Sequence, residues 1–315
     1  MKYFLAPAVL VVVGVLACGA MGDTFLQGLA GPTGLANEGS QGSSAANDRF
    51  LDSSSFIGAP YDWSGVGNNG GSWATMISPS YFLSANHDHP APGSTVTFHL
   101  DNNPNGPTES YTVDSTYYQT VYDGQGSDLY LGKLTTPVSS NIAKYPVLSL
   151  GSDADYYGMT IMTYGNPNRV GMSNVNNDFL LSDDGVSPPT LHHGIDDLPL
   201  QGYGLTRVMY FNYYANGGQQ GANEAYLEGG DSGGPSFAVA NGSLALLGIH
   251  FVDSGPVYDG ATSGDSFVPF YVDQLDANMV GQQVTLAVVP EPVTMVSLFI
   301  GLAGLAGHIR KRIQK

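Results

Sequence analysis

The sequence predicts an all-β protein built from short antiparallel strands. Its 315 residues include 42 Gly, 19 Pro and 19 Tyr, a composition typical of many strands joined by turns. Between about residues 50 and 286, short runs of Val, Thr, Tyr, Phe and Ile are broken by clusters of Gly, Pro, Asn and Asp. No repeat of roughly 20–50 residues is evident, which disfavours propellers and solenoids. We therefore expect an antiparallel sandwich or barrel.

The strand pattern is clearest in four segments, residues 94–100, 109–113, 128–134 and 244–249. Only residues 272–279, Val-Asp-Gln-Leu-Asp-Ala-Asn-Met, have a helical pattern, and they predict one short helix near the end of the folded region. With 42% hydrophobic and 11% aromatic residues, the chain can fill a large core, so global disorder is excluded.

The charge balance is strongly acidic, with a formal net charge of −17 although only 12% of the residues are charged. Nucleic-acid binding requires clustered Lys and Arg to displace the counterions of the phosphates. The chain is therefore not expected to bind nucleic acid, and the acidity is mainly a determinant of solubility.

The N-terminus has the features of a secretory signal peptide, predicted over residues 1–22. Met1-Lys2 precedes an apolar run at residues 4–17 that is too short for a stable membrane helix. A second interpretation is a lipoprotein signal, in which Cys18 would carry the lipid. Residues 23–49, rich in Gly, Ser, Ala and Asn, are expected to form a flexible leader or pro-segment.

Cysteine chemistry is excluded in the mature protein, because Cys18 is the only cysteine and lies within the signal. We expect no cofactor and no metal. His192-His193 and Asp196-Asp197 are interpreted as polar loop residues rather than as metal ligands.

The C-terminus, residues 287–315, has three parts. Val289-Pro290-Glu291-Pro292 is followed by an apolar stretch at residues 293–307 and then by Arg310-Lys311-Arg312. Together these parts resemble the PEP-CTERM sorting segment of Gram-negative bacteria. The resemblance implies export, contact with the membrane through residues 293–307, removal of the tail by an exosortase-like enzyme, and release to the cell surface or extracellular matrix. The alternative is a tail retained as a membrane anchor.

The strongest chemical motif is the string Gly230-Asp231-Ser232-Gly233-Gly234-Pro235, which precedes an apolar strand. Glycines allow consecutive backbone N–H groups to point at one spot, as stabilisation of an oxyanion requires. Two further segments accompany it in chain order: Leu83-Ser84-Ala85-Asn86-His87, and an Asp128 that opens an alternating strand ending in Lys133-Leu134.

These three segments resemble those of chymotrypsin/trypsin-like serine endopeptidases. The resemblance implies two six-stranded antiparallel barrels within residues 50–286, dividing near residue 146, with the active site in the cleft between them. It also implies that Ser232 is the nucleophile, His87 the base and Asp128 the carboxylate that orients the base. The N–H groups of Gly230 and Ser232 would form the oxyanion hole, and the substrate would be a protein or peptide. His89 is the competing histidine.

Three departures from the family pattern leave parts of the site open. Phe251 stands where the family often has a Ser that supports the catalytic Asp. Tyr226 replaces the acidic residue at the pocket base, so Tyr226, Phe251 and Asp253 are expected to favour a small or apolar side chain. The activating Ile-Val-Gly-Gly N-terminus is absent.

The nearest activation site is Arg49-Phe50, where a freed amine could pair with Asp231; the alternative is an enzyme that folds without cleavage and supplies another partner for Asp231. The competing function is a catalytically inactive, protease-like surface or matrix binding protein.

Overall fold

The computed structural model describes residues 11–12, 48–50, 56–121, 126–165, 168–176, 178–182, 190–200, 204–213, 225, 227, 229–253 and 262–288. Most of the predicted signal peptide and leader, and residues 289–315 of the predicted sorting tail, lie outside these residues. No helix within the described ranges is long and apolar enough to cross a membrane.

The regular secondary structure of the described residues is almost entirely β-strand. Its strands, in order, are β1 (Val11–Val12), β2 (Val66–Asn68), β3 (Trp73–Met76), β4 (Tyr81–Ala85), β5 (Thr95–His99), β6 (Thr108–Thr112), β7 (Gln119–Thr120), β8 (Leu129–Lys133), β9 (Val147–Ser149), β10 (Thr160–Gly165), β11 (Arg169–Asn174), β12 (Asp178–Ser182), β13 (Thr190–His193), β14 (Ile195–Leu200), β15 (Gly204–Asn212), β16 (Pro235–Ala240), β17 (Ser243–Asp253), β18 (Thr262–Phe267) and β19 (Leu286–Val288). Two 3-10 turns, Asp153–Tyr156 and Val268–Tyr271, and one α-helix, α1 (Val272–Asn278), complete the elements.

The first large sheet closes into a barrel of six strands. Its order is β6-β5-β2-β3-β4-β8-β7, with antiparallel neighbours. An antiparallel bridge between Val113 and Leu134 joins the end of β6 to the end of β8. The Thr135 N–H also donates to the Thr112 carbonyl oxygen (2.9 Å). The ring is therefore β2-β3-β4-β8-β6-β5, and β7 lies outside it.

The second large sheet closes in the same way. Its order is β11-β10-β16-β17-β18-β15-β14, and a bridge between Val175 and Phe211 joins the end of β11 to β15. The ring is β10-β16-β17-β18-β15-β11, again six strands. β9 pairs in parallel with β17 and β19, outside the ring. Asn241 and Gly242 connect β16 to β17 with φ angles of 52° and 79°, the left-handed conformation that an Asn-Gly hairpin turn requires.

A third, small sheet has the order β1-β12-β13. Val11 pairs in parallel with Leu181, and β12 and β13 are antiparallel. His192 and His193 are therefore in strand β13, and Asp196 and Asp197 in β14, which corrects their interpretation as loop residues. The reason is β-pairing: Asp178 and Phe179 pair with His193 and His192.

Burial follows the barrels. The interior of the first barrel includes Met76, Phe82, Phe98 and Tyr130, and that of the second includes Ile161, Met209, Phe211 and Leu247. A third apolar cluster lies between them and takes residues from both barrels, including Trp73, Leu83, Leu131, Tyr164, Phe237 and Ile249. β8 shows how: Tyr130 faces the barrel interior while its neighbours Leu129 and Leu131 face the other way, because side chains alternate along a strand.

The prediction of an all-β fold with two antiparallel six-stranded barrels and a short C-terminal helix is confirmed. The four predicted strand segments correspond to β5, β6, β8 and β17, of which β17 is longer than expected because it extends to Asp253. The predicted helix, residues 272–279, corresponds to α1, which ends one residue earlier.

Candidate active site

His87 lies just beyond β4, in a turn held against the start of β8. Ala85, the last residue of β4, pairs with Leu129, and the Asn86 N–H donates to the Asp128 carbonyl oxygen (2.7 Å). The Asn86 side-chain oxygen accepts a hydrogen bond from the Thr120 hydroxyl (2.8 Å). Pairing of β4 with β8 therefore brings two segments about 40 residues apart in sequence into contact.

His87 and the Asp128 carboxylate are joined by two hydrogen bonds, one from the imidazole and one from the His87 backbone. His87 Nδ1 lies 2.7 Å from Asp128 Oδ2, and the His87 backbone N–H donates to Oδ1 (3.0 Å). An ionised carboxylate can only accept, so Nδ1 carries the proton and Nε2 is the basic nitrogen. Asp128 is fully buried, and burial raises the pKa of its carboxyl above the ordinary value while the charge and hydrogen bonds of His87 oppose that rise.

Thr206, in β15 of the second barrel, binds the backbone of Asp128. The Asp128 N–H donates to the Thr206 hydroxyl oxygen at 3.0 Å, and both residues are fully buried. No pattern in the sequence marks this residue. The expected supporting Ser is absent, since Phe251 stands in its place, and Thr206 provides a hydrogen bond to Asp128 from another strand.

Ser232 sits in a turn whose shape depends on glycine. Gly230 and Gly233 have φ angles of 105° and 79°, which residues with a Cβ rarely adopt. The Gly234 N–H donates to the Asp231 carbonyl oxygen (2.7 Å), and the Trp73 indole N–H donates to the Gly230 carbonyl oxygen (2.9 Å). Trp73 belongs to the first barrel, so this bond fixes the turn against the other half of the molecule.

The turn presents the two N–H groups that the sequence assigned to the oxyanion hole. Within the described ranges, the backbone N–H groups of Gly230 and Ser232 donate to no acceptor. Ser232 is only 4% exposed. Unsatisfied donors at a nearly buried site are rare in proteins, and they suit a position where a negative oxygen binds.

The Ser232 turn packs directly against the His87 turn. A methyl group added at Gly233 would lie 2.4 Å from Ser84 Oγ, 3.0 Å from Ala85 N and 3.2 Å from the Asp88 carbonyl oxygen. Among the described residues, the Ser232 hydroxyl makes no hydrogen bond, so the Ser232–His87 bond is not closed in this structure. Such bonds are often long in unliganded enzymes and tighten when substrate binds.

The predicted substrate pocket is only partly described. The buried ring of Phe251 lies 6.2 Å from the His87 imidazole, centroid to centroid. Asp253 is half-buried at the end of β17, and Tyr226 lies outside the described residues. Phe251 therefore contributes an apolar wall beside His87, and the pocket base stays a prediction.

His89 takes no part in this arrangement. Its ring stacks on Tyr130 with centroids 3.9 Å apart, and its Nδ1 is 3.2 Å from the Pro90 carbonyl oxygen. Burial lowers the pKa of His89 below the ordinary value. In the described part of the chain, no three His, Cys, Asp or Glu side chains are grouped so that they could hold a metal ion.

The chain matches no protein-family model, and it matches no curated protein in sequence. Similar solved structures include two of the NS6 protease from murine norovirus. One is an inactive mutant with a C-terminal extension; it is 14% identical, with a TM-score of 0.38, over 65% of this chain and 97% of that one. The other is 16% identical, with a TM-score of 0.36, over 65% and 90% of the two chains. The fold assignment therefore depends on this chain's own strand pairing.

Proposed function

We propose that the protein is a serine endopeptidase that hydrolyses peptide bonds through Ser232, His87 and Asp128. The observation that carries the proposal is the pairing of His87 with a fully buried Asp128, directly beside the glycine-rich turn of Ser232. A buried carboxylate is costly unless it is paired and hydrogen-bonded. A buried carboxylate that is hydrogen-bonded to a half-buried histidine is typical of a site in which the histidine acts as a catalytic base.

The reaction would proceed in two stages. His87 Nε2 accepts the Ser232 hydroxyl proton as Oγ attacks the carbonyl carbon, and Asp128 stabilises the resulting imidazolium. The oxygen that becomes negative is held by the N–H groups of Gly230 and Ser232, each such donor contributing about 3 kcal/mol. His87 then gives its proton to the leaving amine, which departs as the C–N bond breaks. Water, deprotonated by His87, hydrolyses the acyl-enzyme and restores the Ser232 hydroxyl.

The test is covalent labelling of the purified full chain with a fluorophosphonate, followed by peptide mapping. We expect the label on Ser232, no label in Ser232→Ala, and unchanged labelling in the control Ser243→Ala, which changes an exposed serine at the start of β17. Casein should be cleaved by the wild type and not by Ser232→Ala. A folded chain that takes no label and leaves casein intact contradicts the proposal and favours the inactive binding protein.

We also propose export and surface delivery, supported by the N-terminal signal pattern and the PEP-CTERM-like tail. The chain would reach the cell surface or matrix after an exosortase-like enzyme removes the tail. Mass measurement of the secreted form should then give a C-terminus near Pro290. A surface form that retains Arg310-Lys311-Arg312 would instead indicate a membrane anchor.

A further inference from the structure

A second His–Asp pair, remote from solvent, lies directly beneath the Ser232 turn. His250 of β17 and Asp265 of β18 occupy paired positions, and both side chains are fully buried. His250 Nδ1 lies 2.8 Å from Asp265 Oδ1. The triad does not use this pair, and no contact joins it to His87 or Asp128 among the hydrogen bonds of the described residues.

The contacts around His250 suit a charged ring. Its Nδ1 faces the Asp265 carboxylate, and its Nε2 faces the Tyr164 carbonyl oxygen at 3.2 Å. An ionised Asp265 and the Tyr164 carbonyl are both acceptors, and a neutral imidazole has only one N–H to donate. With Asp265 ionised, only the imidazolium, with a proton on each nitrogen, donates to both groups.

The same residue is bonded to the turn that carries the nucleophile. The Gly233 N–H donates to the His250 carbonyl oxygen (3.1 Å), and the His250 N–H donates to the Gly234 carbonyl oxygen (2.8 Å). A methyl group added at Gly234 would lie 2.8 Å from the His250 ring carbon Cδ2 and 2.9 Å from the Asp231 carbonyl oxygen. The ring is thus packed against the turn with no intervening side chain, close to the fully buried Asp231.

Two carboxylates and one carbonyl act on the His250 ring: Asp265 from β18, Asp231 from the turn, and the Tyr164 carbonyl from β10. Burial lowers the pKa of His250, but these groups together raise it above the ordinary value. The charge is therefore most secure at acidic and neutral pH, and it is lost as the pH rises through the raised pKa.

The structure around the Arg49–Phe50 bond does not favour cleavage there, which would be needed to free a positively charged Phe50 amine as a partner for Asp231. Arg49 is only 1% exposed, and its guanidinium donates hydrogen bonds to the oxygens of Asn102, Trp63, Tyr164, His99 and Asp101. The Phe50 N–H donates to Asp48 Oδ1 (2.8 Å). A processing protease would have to unfold this segment to reach the bond.

We infer that His250, held as an imidazolium by Asp265 and the Tyr164 carbonyl, is the internal cation that positions Asp231 and the Ser232 turn, so that the site forms without N-terminal cleavage. His250 is a positioning residue: it acts through the turn and does not touch substrate. The inference rests on the proposed function for its kinetic consequence, but the coupling between His250 and Asp231 is a property of the folded chain.

The first experiment measures the coupling between His250 and Asp231 without depending on enzymatic activity. Titration of the His250 ring by ¹⁵N NMR on the full chain should find both nitrogens protonated at neutral pH. Asp231→Asn should lower the His250 pKa, because it removes a negative charge that favours the charged ring. A His250 that is neutral at pH 7, or a pKa unmoved by Asp231→Asn, would overturn the inference.

The second experiment follows the rate of Ser232 labelling against pH, in chains whose mass shows Arg49–Phe50 intact. Asp265→Asn should move the alkaline limb to lower pH, because it removes the carboxylate that favours the charged ring. The double variant His250→Gln/Asp265→Asn keeps a neutral hydrogen-bonding pair, and it should fold but label at least about tenfold more slowly. His99→Gln is the control, and it should change neither the alkaline limb of the pH profile nor the labelling rate.

The outcomes separate the inference from the proposed function. A wild type that labels only after cleavage, or a folded double variant with the wild-type rate and pH profile, contradicts the inference and leaves the endopeptidase intact. A wild type that never labels, with the His250–Asp231 coupling present in NMR, contradicts the endopeptidase and supports the structural role of His250.

Discussion

The indole N–H of Trp73 donates to the Gly230 carbonyl oxygen at 2.9 Å, across the boundary between the two barrels. Trp73 lies in β3, and its ring also packs edge-on against Tyr164 of β10, with centroids 5.4 Å apart. The bond fixes the plane of the Gly230–Asp231 peptide, and with it the shape of the turn that presents the nucleophile. A side chain of one barrel therefore sets the backbone of the other.

Trp73→Phe should weaken the site more than the fold. The variant keeps an aromatic ring but leaves the half-buried Gly230 carbonyl without its donor, a loss of about 1 kcal/mol. We expect slower fluorophosphonate labelling of Ser232, measured on the folded fraction. The matched control is Trp63→Phe, since the Trp63 indole N–H donates to the Gly58 carbonyl oxygen (2.7 Å), which lies in another loop. Equal slowing in both variants would show that the effect is general destabilisation.

The support of Asp128 by Thr206 predicts a difference between two small substitutions. Thr206→Val removes the oxygen that accepts from the Asp128 N–H, whereas Thr206→Ser retains it. We expect Thr206→Val to lower the free energy of unfolding by about 1–3 kcal/mol, from one unsatisfied buried N–H. Labelling of Ser232 should fall with it and be largely restored in Thr206→Ser. Denaturant titration and labelling rates measure the two effects, and a Val variant that behaves like the Ser variant would refute the role of Thr206.

The assignment of the base predicts opposite results for the two neighbouring histidines. His87→Gln removes the group bonded to Asp128, and labelling of Ser232 should fall by about 10³-fold or more. His89→Gln removes only a ring stacked on Tyr130, and labelling should stay within about twofold of wild type, as expected for a group outside the catalytic unit. The rates should be compared at one pH with circular dichroism as the check on folding. Loss of labelling in His89→Gln with retention in His87→Gln would reverse the assignment.

Gly234 is expected to be sensitive to an added methyl group, whereas Gly71, in another turn, is not. A Cβ at Gly234 would lie 2.6 Å from the Tyr164 carbonyl oxygen, besides meeting His250 and Asp231. Gly234→Ala should therefore cost about 1–3 kcal/mol, as overpacking of a filled site typically does, and it should slow labelling. At Gly71 the nearest atom to an added Cβ is 3.9 Å away, so Gly71→Ala is the control. Thermal unfolding of both variants measures the difference.

The fold was largely predictable because its signals are local. Val96 and Phe98 of β5 point into the first barrel while their neighbours are more exposed, a period of two that is visible in the letters. Asn241-Gly242 marks a hairpin turn by chemistry alone. Closure of the barrels was not readable in this way, since it depends on the Val113–Leu134 and Val175–Phe211 bridges between distant segments.

The residues of the candidate site also fall into two groups, those that local sequence marks and those that it does not. His87, Asp128 and Ser232 lie in segments whose neighbouring residues form a pattern, so the sequence indicated them. Thr206 and Trp73 each contribute one hydrogen bond to a backbone group in the opposite barrel, and nothing in their own neighbours marks that role. His250 lies one residue beyond the predicted strand segment 244–249, and its partner Asp265 and its burial became visible only in three dimensions.

The bond from Asp128 to Thr206 has a consequence for the life of the chain before it is mature. Asp128 comes from the half that is synthesised first and Thr206 from the half that follows, so the Asp128 backbone N–H acquires this partner only when the barrels have docked. We expect a partly made or unfolded chain to be harmless to itself and to other proteins. During refolding from denaturant, reactivity toward fluorophosphonate should accordingly appear with the last kinetic phase, after most of the β-structure has formed.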